Sequence, residues 1–181
     1  MARRGVSSRQ IAVKIRPAKK ADAKEILAIF HDTVSEERYL ATSVWDLPRT
    51  LREQQEDIFL QNEQKNGGYF VATVARQVVG VVSLLGGILL RQEHVAQLEI
   101  FIHRDSRRHG IGRSLMLHAI QWAHNNSYLR KISLSVFADN YAAVALYTEL
   151  GFVIEGRCEG DFRERDGKLR DRLLMAYWLN S

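Results

Sequence analysis

Arg107-Arg108-His109-Gly110-Ile111-Gly112-Arg113 is the stretch whose residue types and spacing are best suited to chemistry. It follows a run of strand character, residues 95–103, and opens a run of helical character, residues 110–125. A glycine-rich turn in that setting leaves several backbone N–H groups unpaired and aimed at one point, with the positive end of the helix dipole behind them. Such a turn binds phosphate, and two arginines at its entrance strengthen the attraction. Glycine at 110 and 112 lets the main chain approach a pyrophosphate with no Cβ in the way. The alternative is a plain strand-to-helix turn whose glycines serve geometry alone. On the preceding strand Ala96, Leu98, Ile100 and Ile102 alternate with Gln97, Glu99 and His103, so the polar groups gather on one face.

The rest of the chain supplies elements to hold that turn. Ile11, Val13 and Ile15 alternate over a strand at 10–16 that Pro17 ends. Asp22 and Glu25 have capping-box spacing, and Ala23, Ile26, Leu27, Phe30 and Val34 trace one helical stripe. Residues 36–48 break the pattern, with Tyr39, Trp45 and Pro48; the aromatics either line a groove or staple the loop to the core. A polar amphipathic helix follows at 50–65, carrying Leu51, Ile58 and Phe59, and Asn66-Gly67-Gly68 is a turn. Runs at 69–75 and 77–85, joined tightly at Arg76-Gln77, form an antiparallel hairpin. Beyond the glycine turn, Ile111, Leu115, Ala119 and Trp122 share a helix face. A strand at 130–137 leads to a short helix started by Asp139-Asn140 and ended by Gly151. Strands at 152–159 and 169–179 flank a charged tip turning at Asp166-Gly167. The order is β-α-α-β-β-β-α-β-α-β-β: a basic flexible tail at 1–9 and a single α/β domain at 10–181.

Bulk properties narrow the partners. A net charge of +5 over 181 residues suggests nucleic acid until the charge is located. Residues 1–20 carry seven Lys or Arg and no acid, leaving 19 basic against 21 acidic side chains, a net −2, elsewhere. Basicity belongs to the tail and first strand, so nucleic acid is not an expected partner. Cys158 is alone, which excludes an internal disulfide framework and suits a reducing compartment. The histidines have no zinc-type spacing, so no metal is expected. The longest apolar run, 78–90, is 13 residues with three glycines, too short for a bilayer; it reads as a buried strand and its turn. The start lacks the apolar segment of a secretory signal, and a cytoplasmic location is expected.

The order of elements and four groups of residues resemble the GNAT superfamily of N-acetyltransferases. Ile15-Arg16-Pro17-Ala18 with Asp22 and Ile26 resembles its first strand and helix. Leu98 to Ile102 is similar to the strand before its pyrophosphate turn, and Arg107 to Gly112 to the turn itself. Asn140, Ala143, Leu146, Tyr147, Leu150, Gly151 and Phe152 match its second signature. The resemblance runs from about Val13 to Trp178. It implies a mixed, mostly antiparallel sheet flanked by about four helices, and acetyl-CoA as cosubstrate. Within the superfamily, His94-Val95-Ala96 and Phe137-Ala138-Asp139-Asn140 are most similar to bacterial enzymes acting on free amino acids and small amines. Ribosomal-protein N-terminal acetyltransferases are also similar, but they carry a glutamate base where this chain has Ser135.

The resemblance also implies roles. The main chain at Ile100, Phe101 and Ile102 pairs with the pantetheine arm. Backbone N–H groups from Arg108 to Arg113, at the turn opened by Arg107 and including His109, Gly110, Ile111 and Gly112, hold the pyrophosphate. An N–H near Phe101 or Ile102 faces the thioester oxygen. Tyr147 is the general acid toward the leaving sulfur, or else a packed helix tyrosine. Asn140 contacts the cosubstrate near the sulfur or serves as an N-cap. Glu99 is the candidate base, with a structural ion pair as its competing role; His94 and His103 are weaker candidates. An α-amine, with a pKa of about 8, is partly neutral at cellular pH, so a strong base is not required. The expected acceptor is a small primary amine, with a protein N-terminus or a silent acyl-CoA-binding module as alternatives, and homodimerisation is a family habit.

Overall fold

The computed structural model describes residues 12–36 and 50–179. Seven strands form one sheet in the order β1-β2-β3-β4-β5-β7-β6. The strands are β1 (Lys14–Pro17), β2 (Gly68–Val74), β3 (Gln77–Gly86), β4 (Val95–Ile102), β5 (Lys131–Phe137), β6 (Val153–Arg163) and β7 (Leu169–Trp178). The helices are α1 (Ala23–Ser35), α2 (Leu51–Glu63), α3 (Ile111–His124) and α4 (Tyr141–Glu149). Every neighbouring pair of strands is antiparallel except β4 and β5. The mixed sheet, the four helices and their order agree with the expected fold class.

Alternation along the strands divides the core in two. Ala96, Leu98, Leu134, Leu173 and Met175 meet Ile111, Leu115, Met116 and Ala119 of α3, with Tyr147 of α4 and Phe152. On the other face Ile26 and Ile29 of α1 and Ile58 of α2 pack on Tyr69, Val71, Val78 and Val81. Both faces of the centre of the sheet are therefore clad, which fixes its register because a one-residue slip would expose the apolar set.

Three local expectations change. The first strand begins at Lys14, not residue 10, and positions up to 11 lie outside the described residues. Asp22 and Glu25 make no capping box for α1. Asp22 instead accepts from Arg16 Nη1 and Nη2 at 2.6 and 2.7 Å and from Lys19 N–H at 2.8 Å. Glu25 reaches across to Val78 N–H at 2.7 Å. A guanidinium within reach outcompetes a helix N–H, since its bonds to a carboxylate are charged and paired. The tight hairpin turn is Ala75-Arg76, with φ of 48° and 72°, one residue earlier than its expected place. The apolar run 78–90 is, as expected, a buried strand and its turn, with Ile88, Leu89 and Leu90 exposed after β3. The aromatics Tyr39 and Trp45 and the basic tail lie outside the described residues.

Candidate active site

β4 is paired with β3 over its length, Ala96 to Ile102 against Gly86 to Gly80. Its other edge meets β5 only at Val95, Ala96 and Gln97, opposite Lys131, Ile132 and Ser133. Beyond those positions the two parallel strands part, and among the described residues the β5-facing edge from Leu98 to Ile102 has no strand partner. Parting is possible because β5 is fully engaged by β7 on its far side, Lys131 to Phe137 against Trp178 to Arg172. Ile100, Phe101 and Ile102 therefore lie, half-buried, along one wall of an opening in the sheet. The Phe101 ring points away from α3 and packs edge-on against Phe30 of α1 at 5.4 Å.

The turn after β4 brings α3 to the mouth of that opening. Gly110 is the N-cap residue, with φ 77°, and no side chain caps the helix. The first backbone bond of α3 is Ser114 N–H to the Gly110 carbonyl at 3.0 Å. The N–H groups of Ile111, Gly112 and Arg113 consequently have no helical acceptor, and the first turn holds no acid to neutralise them. A Cβ built on Gly110 meets nothing within 4 Å; one on Gly112 lies 3.9 Å from Leu146 Cδ2 and 4.0 Å from Ile102 Cγ1. Free donors, a positive helix end and open space at both glycines together suit a diphosphate.

Arg107 and Arg108, adjacent in sequence, do different things. Arg108 is exposed, has no partner among the described residues, and adopts φ 65°. That left-handed conformation costs a non-glycine residue about 1–2 kcal/mol. The Arg107 guanidinium is turned inward: Nη1 and Nη2 donate to Glu36 at 2.7 Å each and Nε to the Ile102 carbonyl at 3.0 Å. That guanidinium is thus committed to Glu36 and to the end of β4. Nothing in the sequence near residue 107 announces Glu36, which lies 71 positions away. The one available hint was an acid at the C-terminal end of a helix, where the dipole disfavours it. His109 is exposed and lines a cavity of about 220 Å³ with Ile111, Asp105 and the tip of the β2–β3 hairpin.

α4 closes the other side, since Leu146 faces Gly112 and Arg113 of α3 pairs with Glu149 of α4 at 2.8 Å. Asn140 is the N-cap of α4, its Oδ1 accepting from Ala143 N–H at 3.3 Å. Tyr147 is buried, with its ring 6.0 Å from that of Phe152. Burial pushes its phenol up to about 12, because the phenolate would lose its hydration. Glu99 is exposed on β4, opposite Ser83 of β3, on the α1 side of the sheet. His94 precedes β4, its carbonyl accepting from Arg130 and Lys131 N–H. His103 caps the turn after β4, Nδ1 accepting from Asp105 N–H at 3.3 Å. Among the described residues no group of three or more His, Cys, Asp or Glu is placed to hold a metal, and no helix is long and apolar enough to cross a membrane.

The pattern of the acetyltransferase (GNAT) family matches residues 29–152. The chain belongs to that family. Among curated relatives, the L-amino acid N-acetyltransferase AaaT of Escherichia coli is 31% identical over 59% of this chain and 65% of its own length. The spermidine N(1)-acetyltransferase of Vibrio cholerae is 30% identical over 62% of this chain and 65% of its own. The chain thus spans just under two thirds of each. A GNAT-family acetyltransferase from Streptococcus pneumoniae superposes with a TM-score of 0.88 at 29% identity, covering 92% of this chain and 99% of that one. A ribosomal-protein-alanine N-acetyltransferase from Brucella melitensis has a TM-score of 0.80 at 27% identity, covering 92% and 99%. The yncA protein of Salmonella typhimurium, solved with its cofactor acetyl-CoA, shares the fold at 18% identity, with a TM-score of 0.84 and coverage of 94% and 95%.

Proposed function

We propose that this chain transfers an acetyl group from acetyl-CoA to the primary amine of a free amino acid or related small amine, by direct attack within a ternary complex. One observation carries the reading: β4 and β5 part beside an uncapped α3 whose glycines leave its N–H groups accessible. Acetyl-CoA supplies an acetyl group activated as a thioester. The N–H groups of Arg108 to Arg113 bind its diphosphate, and the unpaired edge at Ile100, Phe101 and Ile102 binds the pantetheine arm as a further strand would. A main-chain N–H near Phe101 or Ile102 meets the charge that develops on the carbonyl oxygen, a contribution of about 3–4 kcal/mol for such a donor.

Tyr147 faces the leaving sulfur. A phenol at about 12 stays protonated throughout the working range, so it is a donor and never a base. That lies above the value of an ordinary thiol, so complete transfer from Tyr147 to the departing thiolate is uphill. Its contribution is therefore a hydrogen bond to the developing thiolate. Glu99 takes the amine proton, directly or through water, and an α-amine asks little of it because part of it is already neutral at cellular pH. The resemblance to an amino-acid acetyltransferase supports that acceptor class.

The fold shared with a ribosomal-protein-alanine acetyltransferase favours a second reading, a protein N-terminus as acceptor. Ser135 argues against it, standing where those enzymes carry their glutamate base. Thiol release from acetyl-CoA, measured across free amino acids, polyamines and peptides with free N-termini, decides. Turnover confined to peptides would replace the first reading with the second, and release with no amine in the panel would reject both.

A further inference from the structure

Two arginines of the turn after β4 reach back to the last turn of α1. Arg107 holds both carboxylate oxygens of Glu36, and Arg104 pairs with Asp32 and approaches Ser35 Oγ at 3.4 Å. The Arg107 and Glu36 side chains are 36% and 26% exposed, which alone would make theirs an ordinary surface ion pair of small value.

Three observations set it apart. Asp32 and Glu36 sit at the C-terminal end of α1, which has no basic residue in its own last turn. Acids are disfavoured there by the helix dipole, so their placement makes sense only with cations brought from elsewhere. Next, Arg108 follows Arg107 directly and holds φ 65°. Such a conformation persists in a bulky residue only where the surroundings over-determine it. The three bonds of Arg107 fix the backbone just before it, and the Ser114 to Gly110 bond fixes it just after. Finally, the Nε bond of Arg107 ends on Ile102, the last residue of the open strand edge. One guanidinium thereby joins the strand, the turn and α1.

We propose that Glu36 is a positioning residue for acetyl-CoA: by gripping the Arg107 guanidinium it keeps the turn at 104–110 in the shape that aims its backbone N–H groups at the diphosphate. Glu36 touches no reacting atom and acts only through Arg107. The inference rests on the reading that this turn takes acetyl-CoA. Arg107 keeps the Glu36 carboxyl below the usual carboxylate range, so the grip is charged at neutral pH.

Calorimetric titration with coenzyme A, alongside kinetics in acetyl-CoA and acceptor, tests the role. Glu36→Gln is expected to weaken coenzyme A about tenfold and to raise the acetyl-CoA KM by a similar factor. Acceptor KM and kcat at saturating acetyl-CoA are expected to stay within about twofold, which is the split that a general loss of structure would not give. Glu36→Asp, retaining the charge, should recover part of the affinity. Arg107→Lys, losing the fork but not the charge, should fall between wild type and Glu36→Gln and carries the test if the latter fails to fold. Adding Glu36→Gln to Arg107→Lys should cost less than the two separate losses combined, as residues acting as one unit do. Wild-type affinity in Glu36→Gln, or a lower kcat with coenzyme A binding unchanged, overturns the role. A wild-type protein that binds no coenzyme A refutes the acetyl-CoA reading itself, so the two failures are distinguishable.

Discussion

Replacing Gly112 by Ala separates folding from binding. Gly112 is the second residue of α3, and its φ is not among the positive ones. The added methyl meets Leu146 Cδ2 at 3.9 Å and Ile102 Cγ1 at 4.0 Å, both ordinary contacts. Folding therefore encounters no clash, and exchanging glycine for the best helix former gains up to about 1 kcal/mol. In a chain of this size that raises Tm by roughly 2–4 °C. Binding moves the opposite way. The methyl points across the gap between α3, the end of β4 and α4, where the proposed function puts the diphosphate and the start of the pantetheine arm. Losing one charged hydrogen bond there costs about 1.5–3 kcal/mol, a weakening of roughly 10- to 150-fold in coenzyme A affinity. Calorimetric titration and a thermal melt on the same preparation read both effects. A higher Tm with unchanged affinity would refute the placement of the diphosphate against α3. Gly110→Ala is the companion case: with φ 77° it should lose about 1–2 kcal/mol of stability despite the empty space around it.

Tyr147→Phe removes a hydroxyl with no bond to another described side chain, so Tm should hold while kcat falls about 100-fold and coenzyme A affinity stays the same; turnover within about twofold of wild type would exclude the donor role. Because burial holds that phenol near 12, the kcat profile should rise as the acceptor amine deprotonates and show no descending limb from Tyr147 below about pH 10. Asn140→Ala should cost about 1 kcal/mol as a lost N-cap with coenzyme A affinity unchanged, and a tenfold weaker complex would instead assign the residue to the cosubstrate. Arg16 holds the Asp22 carboxyl below its usual 3.8, so its contribution is complete above that value and is lost as pH falls through the lower folded-state value. Asp22→Asn should therefore destabilise by about 1–3 kcal/mol at neutral pH and flatten the loss of stability on acidification, measured by denaturant titration.

Much of this protein is local in origin and so was readable in the chain. Helices and strands announce themselves by periodicity, because each must turn an apolar stripe or face toward a neighbour. The turn at Arg107 to Arg113 was legible for the same reason: two glycines between a strand and a helix serve backbone geometry, which is a property of adjacent residues. Tertiary structure decided everything that depends on residues far apart. Asp22 had the spacing of a helix cap but was claimed by Arg16, since a paired guanidinium binds a carboxylate more strongly than one N–H does. Arg107 read as a charge for the phosphate, yet it faces Glu36, brought to it from 71 positions away. The opening between β4 and β5 is likewise invisible in either strand alone, because parting is a relation between them, set by which edge each has already committed to another partner.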